Sequence, residues 1–329
     1  MILHYLLLII GFVLLIAGAD YLVEGASAIA KRLNVSDLII GLTIVSIGTS
    51  APELAVNILA SLDGQAGMAI GNVVGSNIFN FLVIIGISAL IKPIPLKSSL
   101  IKVEIPFAVL ASVALIFVAG DYFLDGTTGV IDAGVIDRSD GLILLLFFSI
   151  FLYYIFLSAK KGELSSNESK EEREIPKKTY SIWLSSVMVL GGIIALIYGG
   201  ELIVKSATQL AKNWGMSDTV IGLTIVAVGT SLPELATSVV AAFRGNSDIA
   251  IGNVVGSNIF NIFFILGISS TILPLPFANE NMIDVLMAGF ATLLVLYFAG
   301  RGKRKNINRT EGAILLIIYI GYIIYLLSR

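Results

Sequence analysis

Long apolar runs separated by short polar stretches fill this chain from end to end. A bilayer core of about 30 Å takes about 20 apolar residues per helical span. Ten runs satisfy that length, at residues 2 to 24, 36 to 61, 67 to 91, 99 to 119, 141 to 159, 181 to 204, 217 to 243, 249 to 273, 281 to 300 and 311 to 328. They predict an all-α integral membrane protein with ten transmembrane helices. The first run is long, lacks a basic flank and flows into the pattern that follows, so it reads as a spanning helix rather than a leader.

Composition agrees with that pattern. The chain has 329 residues, 57% hydrophobic and 13% charged, with a mean hydropathy of +0.94, more apolar than a soluble domain tolerates. A net charge of -2 gives no electrostatic case for nucleic acid. Without cysteine there is no disulfide, thiolate metal site or thiol nucleophile, and the single histidine, His4, sits beside the N-terminus as an interfacial residue.

Charge placement sets an orientation. Most of the 21 Lys and Arg residues fall on the odd-numbered connections: Lys31 and Arg32, Lys92, Lys97 and Lys102, the segment 160 to 178, Arg244, and residues 301 to 309. Arg138, Lys205, Lys212 and Arg329 lie on the other side. The positive-inside tendency makes the basic side cytoplasmic and puts both termini outside, in a multi-pass protein of the cell membrane.

The chain repeats itself at an offset of 181. GLTIVSIGTSAPEL at Gly41 to Leu54 returns as GLTIVAVGTSLPEL at Gly222 to Leu235, and IGNVVGSNIFN at Ile70 to Asn80 returns unchanged at Ile251 to Asn261. Ser36 and Asp37 match Ser217 and Asp218, and Pro93 and Pro95 match Pro274 and Pro276. Each half, 1–159 and 181–329, therefore carries five helices, joined by a solvated, charged linker at 160–180. Five is odd, so the second half enters the membrane from the opposite side, an inverted-topology repeat of the kind that places ion sites on discontinuous helices near the midplane.

Both copies put a proline and a glutamate inside an apolar run: Pro52 with Glu53, and Pro233 with Glu234. Proline lacks an N–H and disturbs the carbonyl four residues earlier, here Gly48 and Gly229, beside Thr49 and Thr230. A broken backbone is tolerated only where it lines a cavity or is enclosed by protein. Asn72, Ser76, Asn77 and Asn80, with Asn253, Ser257, Asn258 and Asn261, add polar oxygens, and Ser76, Asn77 and Asn80 share a helical face. An all-oxygen set suits hard cations such as Ca2+ and Na+. No Lys or Arg lies mid-span to neutralise the two carboxylates, so a divalent cation, several monovalent ones, or protons must do so.

The paired GTS-x-PE and GNVVGSN-x-x-N elements resemble the two alpha-repeats of the sodium/calcium exchanger family, within the cation/calcium antiporter superfamily. The resemblance covers nearly the whole chain. It implies that Glu53 and Glu234 are the central Ca2+ and Na+ ligands, joined by the carbonyl oxygens of Thr49 and Thr230. Ser50, Ser231, Ser76 and Ser257, with the main-chain oxygens of Ser46 and Ala227, would complete flanking Na+ sites, and Asn80 would line the centre. Asn261 departs from members, including the potassium-dependent branch, that carry Asp there, which leans against K+ co-transport. Val73, Val74, Val254 and Val255 stand where the proton-coupled branch has an acidic residue. K+-dependent Na+/Ca2+ exchange and H+/Ca2+ exchange remain the alternatives. The resemblance further implies three Na+ per Ca2+ and sliding of the first and sixth helices for alternating access. Na+ and Ca2+ are the partners as cargo, beside the lipid bilayer; no cofactor and no obligate protein partner is called for.

Other readings have less support. The Ser residues of the GTS motifs have no His or Lys partner in mid-span, which disfavours an intramembrane hydrolase. A passive channel would assemble repeated subunits around an axis. Gly71-x-x-x-Gly75 and Gly252-x-x-x-Gly256 are helix-packing patterns as well as parts of the motif. The aspartates Asp121, Asp125, Asp132, Asp137 and Asp140 read as a solvated loop, Asp20 and Glu201 as interfacial, and Lys102 and Lys205 as snorkelling.

Overall fold

The apolar runs fold as helices in the computed structural model, which describes residues 2–120, 133–161, 180–215, 227–278, 281–301 and 305–328. In chain order these are α1 (Ile2–Leu33), α2 (Asp37–Thr49), α3 (Ala51–Leu62), α4 (Ala66–Ile91), α5 (Leu100–Ala119), α6 (Arg138–Lys161), α7 (Ile182–Asn213), α8 (Ala227–Gly229), α9 (Leu232–Phe243), α10 (Ser247–Ile272), α11 (Met282–Gly300) and α12 (Arg309–Ser328). Among the described residues, eight helices are long and apolar enough to cross a membrane, and α2 with α3 makes a ninth that bends by 46°. Of the seventh expected span only α8 and α9 are described, so the helices account for eight or nine of the ten expected spans. Ser217, Asp218, most of the linker and Asp121, Asp125 and Asp132 lie outside the described residues.

Two helices outrun their expected ends. α1 continues to Leu33 and α7 to Asn213, past the expected ends at residues 24 and 204. Their final turns hold Lys31, Arg32 and Lys212, which complement the negative end of the helix dipole. Two short antiparallel ribbons were also not expected. β1 (Ile94–Pro95) pairs with β4 (Asn306–Ile307), and β2 (Ala133–Ile136) with β3 (Leu275–Ala278). The repeat-related prolines Pro95 and Pro276 lie in them, compatible with two-stranded ribbons because every strand there is an edge.

The described residues form two compact units, Met1–Ala51 with Phe156–Val254, and Pro52–Ile155 with Val255–Arg329. Each takes elements from both sequence halves, so the units and the repeat are different divisions of the chain.

In the first unit α1 lies antiparallel against α7. A Cβ added at Gly11, Gly18 or Gly25 would stand 3.0, 2.9 and 2.9 Å from the carbonyl oxygens of Gly199, Gly192 and Ser185. Glycines seven apart thus let the two backbones touch along most of their length. Leu15, Leu22, Val189, Leu196 and Ile203 are buried around that seam. Arg244, just past α9, bonds Asp20 at 2.5 Å and Glu24 at 3.2 Å on α1, and Glu201 pairs with Lys205.

The second unit is built around buried helix. Of the most apolar windows, 78% of that in α4 and 94% of that in α10 is buried, against 17% in α12, so α12 has the most exposed flank. Gly86 of α4 meets the Gly312 carbonyl of α12 (3.0 Å from an added Cβ), and Gly141 of α6 meets the Gly267 carbonyl of α10 (2.8 Å). Gly86 and Gly267 are repeat partners, and each seats an outer helix.

Candidate functional site

Each copy of the GTS-x-PE motif breaks its helix at the same residue. Ser50 has φ -83° and ψ 9°, and Ser231 has φ -86° and ψ 5°, outside the helical basin in both cases. The following half-helices, α3 and α9, are 12 residues each. Proline stands at the second position of each, where its missing N–H costs nothing. Glu53 and Glu234 occupy the first turns, where a carboxylate meets the positive end of the helix dipole. Both are 1% exposed.

The glycine before each break packs tightly against a side chain of α7. A Cβ at Gly48 would lie 2.4 Å from Ile193 Cδ1, and one at Gly229 would lie 2.2 Å from Val204 Cγ2, both on α7 in the first unit. Within the same unit, Gly252 packs against Gly41, its added Cβ 3.2 Å from the Gly41 Cα. No described residue lies within 4 Å of an added Cβ at Gly71 or Gly75, so for that pair the expected packing contact is not seen among the described residues.

In the first unit the Ser50 hydroxyl donates to Glu234 Oε1 at 2.7 Å, orienting the carboxylate. Asn253 links three elements there. Its Oδ1 accepts from the Thr49 hydroxyl at 3.0 Å, and its amide donates to the Glu234 main-chain oxygen at 3.3 Å and to Ser238 Oγ at 3.0 Å. The Ser46 carbonyl accepts from the Ser50 N–H at 3.0 Å and lies 3.3 Å from the Thr49 hydroxyl, whose single proton it shares with Asn253 Oδ1. Ser46, Thr49, Ser50 and Ser231 are buried, Thr230 is half-buried, and Ala227 begins α8.

In the second unit Asn72, the repeat partner of Asn253, makes one of the corresponding bonds. Asn72 donates to the Glu53 main-chain oxygen at 3.5 Å, and Asn57 donates to that oxygen at 3.0 Å. Further along α4 and α10 four asparagines bond reciprocally. Asn77 donates to the Asn258 main-chain oxygen at 3.2 Å, and Asn258 returns the bond to Asn77 at 3.1 Å. Asn80 donates to Asn258 Oδ1 at 2.9 Å, and Asn261 to Asn77 Oδ1 at 3.0 Å. With both amide groups donating, the Oδ1 atoms of Asn80 and Asn261 are left buried without hydrogen-bond partners. Ser76 and Ser257, one turn earlier, are buried as well. Asn77 and Asn258, and likewise Asn80 and Asn261, each make the bond that the partner 181 positions away makes.

Three π-helical turns adjoin these residues: Gly41–Val45 in α2, Asn80–Ile84 in α4 and Phe260–Leu266 in α10. Such turns displace carbonyls from the regular ladder and gather at functional sites. The expected site residues with described side chains lie at a helix break or a π turn or within four residues of one. Asn57 and Ser238 were not expected. Both lie four residues after the glutamate, on the same face, and that spacing is the signal that could have found them.

The arrangement offers a carboxylate, hydroxyls, amide oxygens and main-chain carbonyls in each unit, the donor set of a hard cation. The chain matches the family described as sodium/calcium exchanger protein over residues 3–157 and 184–328. It is 37% identical to the inner membrane protein YrbG of Escherichia coli over 83% of this chain and 81% of that one. With the sodium/calcium exchanger MaX1 of Methanosarcina acetivorans it shares 34% identity over 98% of both chains. A solved structure of the sodium-calcium exchanger NCX_Mj, soaked with zero Na+ and Ca2+, aligns over 99% of both chains with a TM-score of 0.80 and 34% identity. With its broken helices, paired motifs and oxygen-only donors, this multi-pass membrane protein belongs to the sodium/calcium exchanger family.

Proposed function

We propose that the chain is a Na+/Ca2+ antiporter that uses the inward Na+ gradient to extrude Ca2+ by alternating access, with three Na+ per Ca2+ and no requirement for K+. Glu53 and Glu234 are the ligands for which Ca2+ and Na+ compete, together with Thr49, Thr230, Ser46, Ala227, Ser50, Ser231, Ser76, Ser257 and Asn80. Ca2+ and Na+ are of similar size, so one set of oxygens serves either in turn, whereas Mg2+ demands a tighter octahedron. Ten spans in two inverted halves, with both termini outside, go with this reading.

The observation that carries it is the repetition of one local chemistry about two glutamates. Asn72 and Asn253 each hold the glutamate's own carbonyl, and Ser50 and Ser231 share one broken conformation. The reciprocal Asn77–Asn258 bonds are what a two-fold relation between inverted halves requires. Asn261 supports K+ independence: it adds no negative charge beyond the two glutamates.

The test is radiolabelled Ca2+ uptake into Na+-loaded proteoliposomes diluted into Na+-free buffer at fixed pH. Uptake that needs internal Na+, is unchanged by K+ and drives the interior negative, because a 3:1 exchange carries one net positive charge out per cycle, is expected. Uptake driven by a pH gradient without Na+, or only with K+, would move the chain to a neighbouring branch.

A further inference from the structure

The second unit holds a fully buried carboxyl, Glu104, that the exchange chemistry does not use. Glu104 ends a π-helical turn, Leu100–Glu104, at the start of α5 and is 0% exposed. The Tyr154 hydroxyl of α6 donates to its Oε1 at 2.6 Å, and its Oε2 is buried with no hydrogen-bond partner. Aromatic rings surround the pair: Phe107 stacks on Tyr154 with centroids 5.8 Å apart and lies 5.6 Å from the Phe151 ring. The other half has a related pair, Tyr322 of α12 donating to Asp284 of α11 at 2.9 Å, but Asp284 is only half-buried.

No cation balances Glu104 among the described residues. On α5 itself Lys102 is exposed; on α6, Lys160 is exposed and Arg138 and Asp140 lie at the end away from Tyr154. α11 runs antiparallel to α5, with Ser112 and Thr292 3.1 Å apart near their middles. Asp284 is therefore at the far end, and Arg301, at the near end, is exposed and lies over the Tyr297 ring. The π turn of α10 and strand β2, which also pack on α5, carry no charged residue. An ionised carboxylate here would leave one oxygen bare in apolar packing. A metal cation would need several more oxygens than one tyrosine hydroxyl provides, whereas a proton needs no further ligand.

We propose that Glu104, held by Tyr154, is a proton-binding site distinct in residues and role from Glu53 and Glu234. It lies four residues inside α5, about 6 Å along the axis, so opening that first turn gives solvent protons access. The site goes beyond the exchanger reading: it places a pH-responsive group outside the residues proposed to hold Na+ and Ca2+.

Infrared spectroscopy during a pH titration of the purified protein tests this without relying on transport. A carbonyl-stretch band of a protonated carboxyl is expected that fades as pH rises, is missing in Glu104→Gln, shifts in Tyr154→Phe and persists in Glu53→Gln. Superimposable titrations of the wild type and Glu104→Gln would overturn the proposal. Glu104→Gln keeps an acceptor for Tyr154, and the thermal midpoint provides a second reading. As pH rises and the proton leaves, the wild-type midpoint should drop relative to Glu104→Gln; parallel curves would also overturn the proposal.

Discussion

At the scale of single residues, the site is held by amides more than by charges. Asn253 is the clearest case, because its one side chain ties Thr49, the Glu234 backbone and Ser238 together. Asn253→Asp keeps an acceptor for Thr49 but sets an oxygen against two oxygens to which the amide donated. Each lost donor leaves a buried group unsatisfied at about 1–3 kcal/mol. A clearly lower thermal midpoint and at least tenfold weaker Ca2+ binding are expected, and unchanged values for both would show that Asn253 is not a keystone of the site. Glu53, Glu234 and the GN asparagines were legible in the sequence because a polar residue inside an apolar run stands out. Asn57 and Ser238 were passed over although each lies four residues after a glutamate on the same face, because what they bond depends on where the half-helix points after the break at Ser50 or Ser231.

At the scale of elements, glycine spacing decides which helices touch. Gly11, Gly18 and Gly25 bring α1 onto α7 backbone to backbone. Replacing Gly18 with Leu would drive a side chain into the Gly192 carbonyl and should destabilise the protein by about 1–3 kcal/mol or more. Gly321→Leu on α12, where an added Cβ meets nothing within 4 Å, should leave the midpoint unchanged; equal behaviour of the two variants in a thermal-unfolding assay would contradict the seam. The helices themselves were readable from apolar length. The last turns of α1 and α7 were missed because small and basic residues carry them past the end of the apolar run. The ribbons at Pro95 and Pro276 were missed because proline reads as a turn.

At the scale of the whole molecule, the repeat was legible as an offset of 181, whereas the two compact units were not. A repeat follows sequence identity, but a unit follows packing, and the division falls inside α6 and α10 and at the Ala51–Pro52 junction, within otherwise continuous apolar pattern. The exchange proposal stands on Na+ and Ca2+ sharing the ligands Glu53 and Glu234. The most direct measurement is equilibrium Ca2+ binding to the purified protein in increasing Na+, compared with Glu53→Gln and Glu234→Gln, each checked for an unchanged elution profile. The account predicts that Na+ displaces Ca2+ with a steep, multi-ion dependence in the wild type and that either substitution lowers Ca2+ affinity by at least tenfold. Ca2+ binding that survives either substitution with its Na+ competition intact would contradict it.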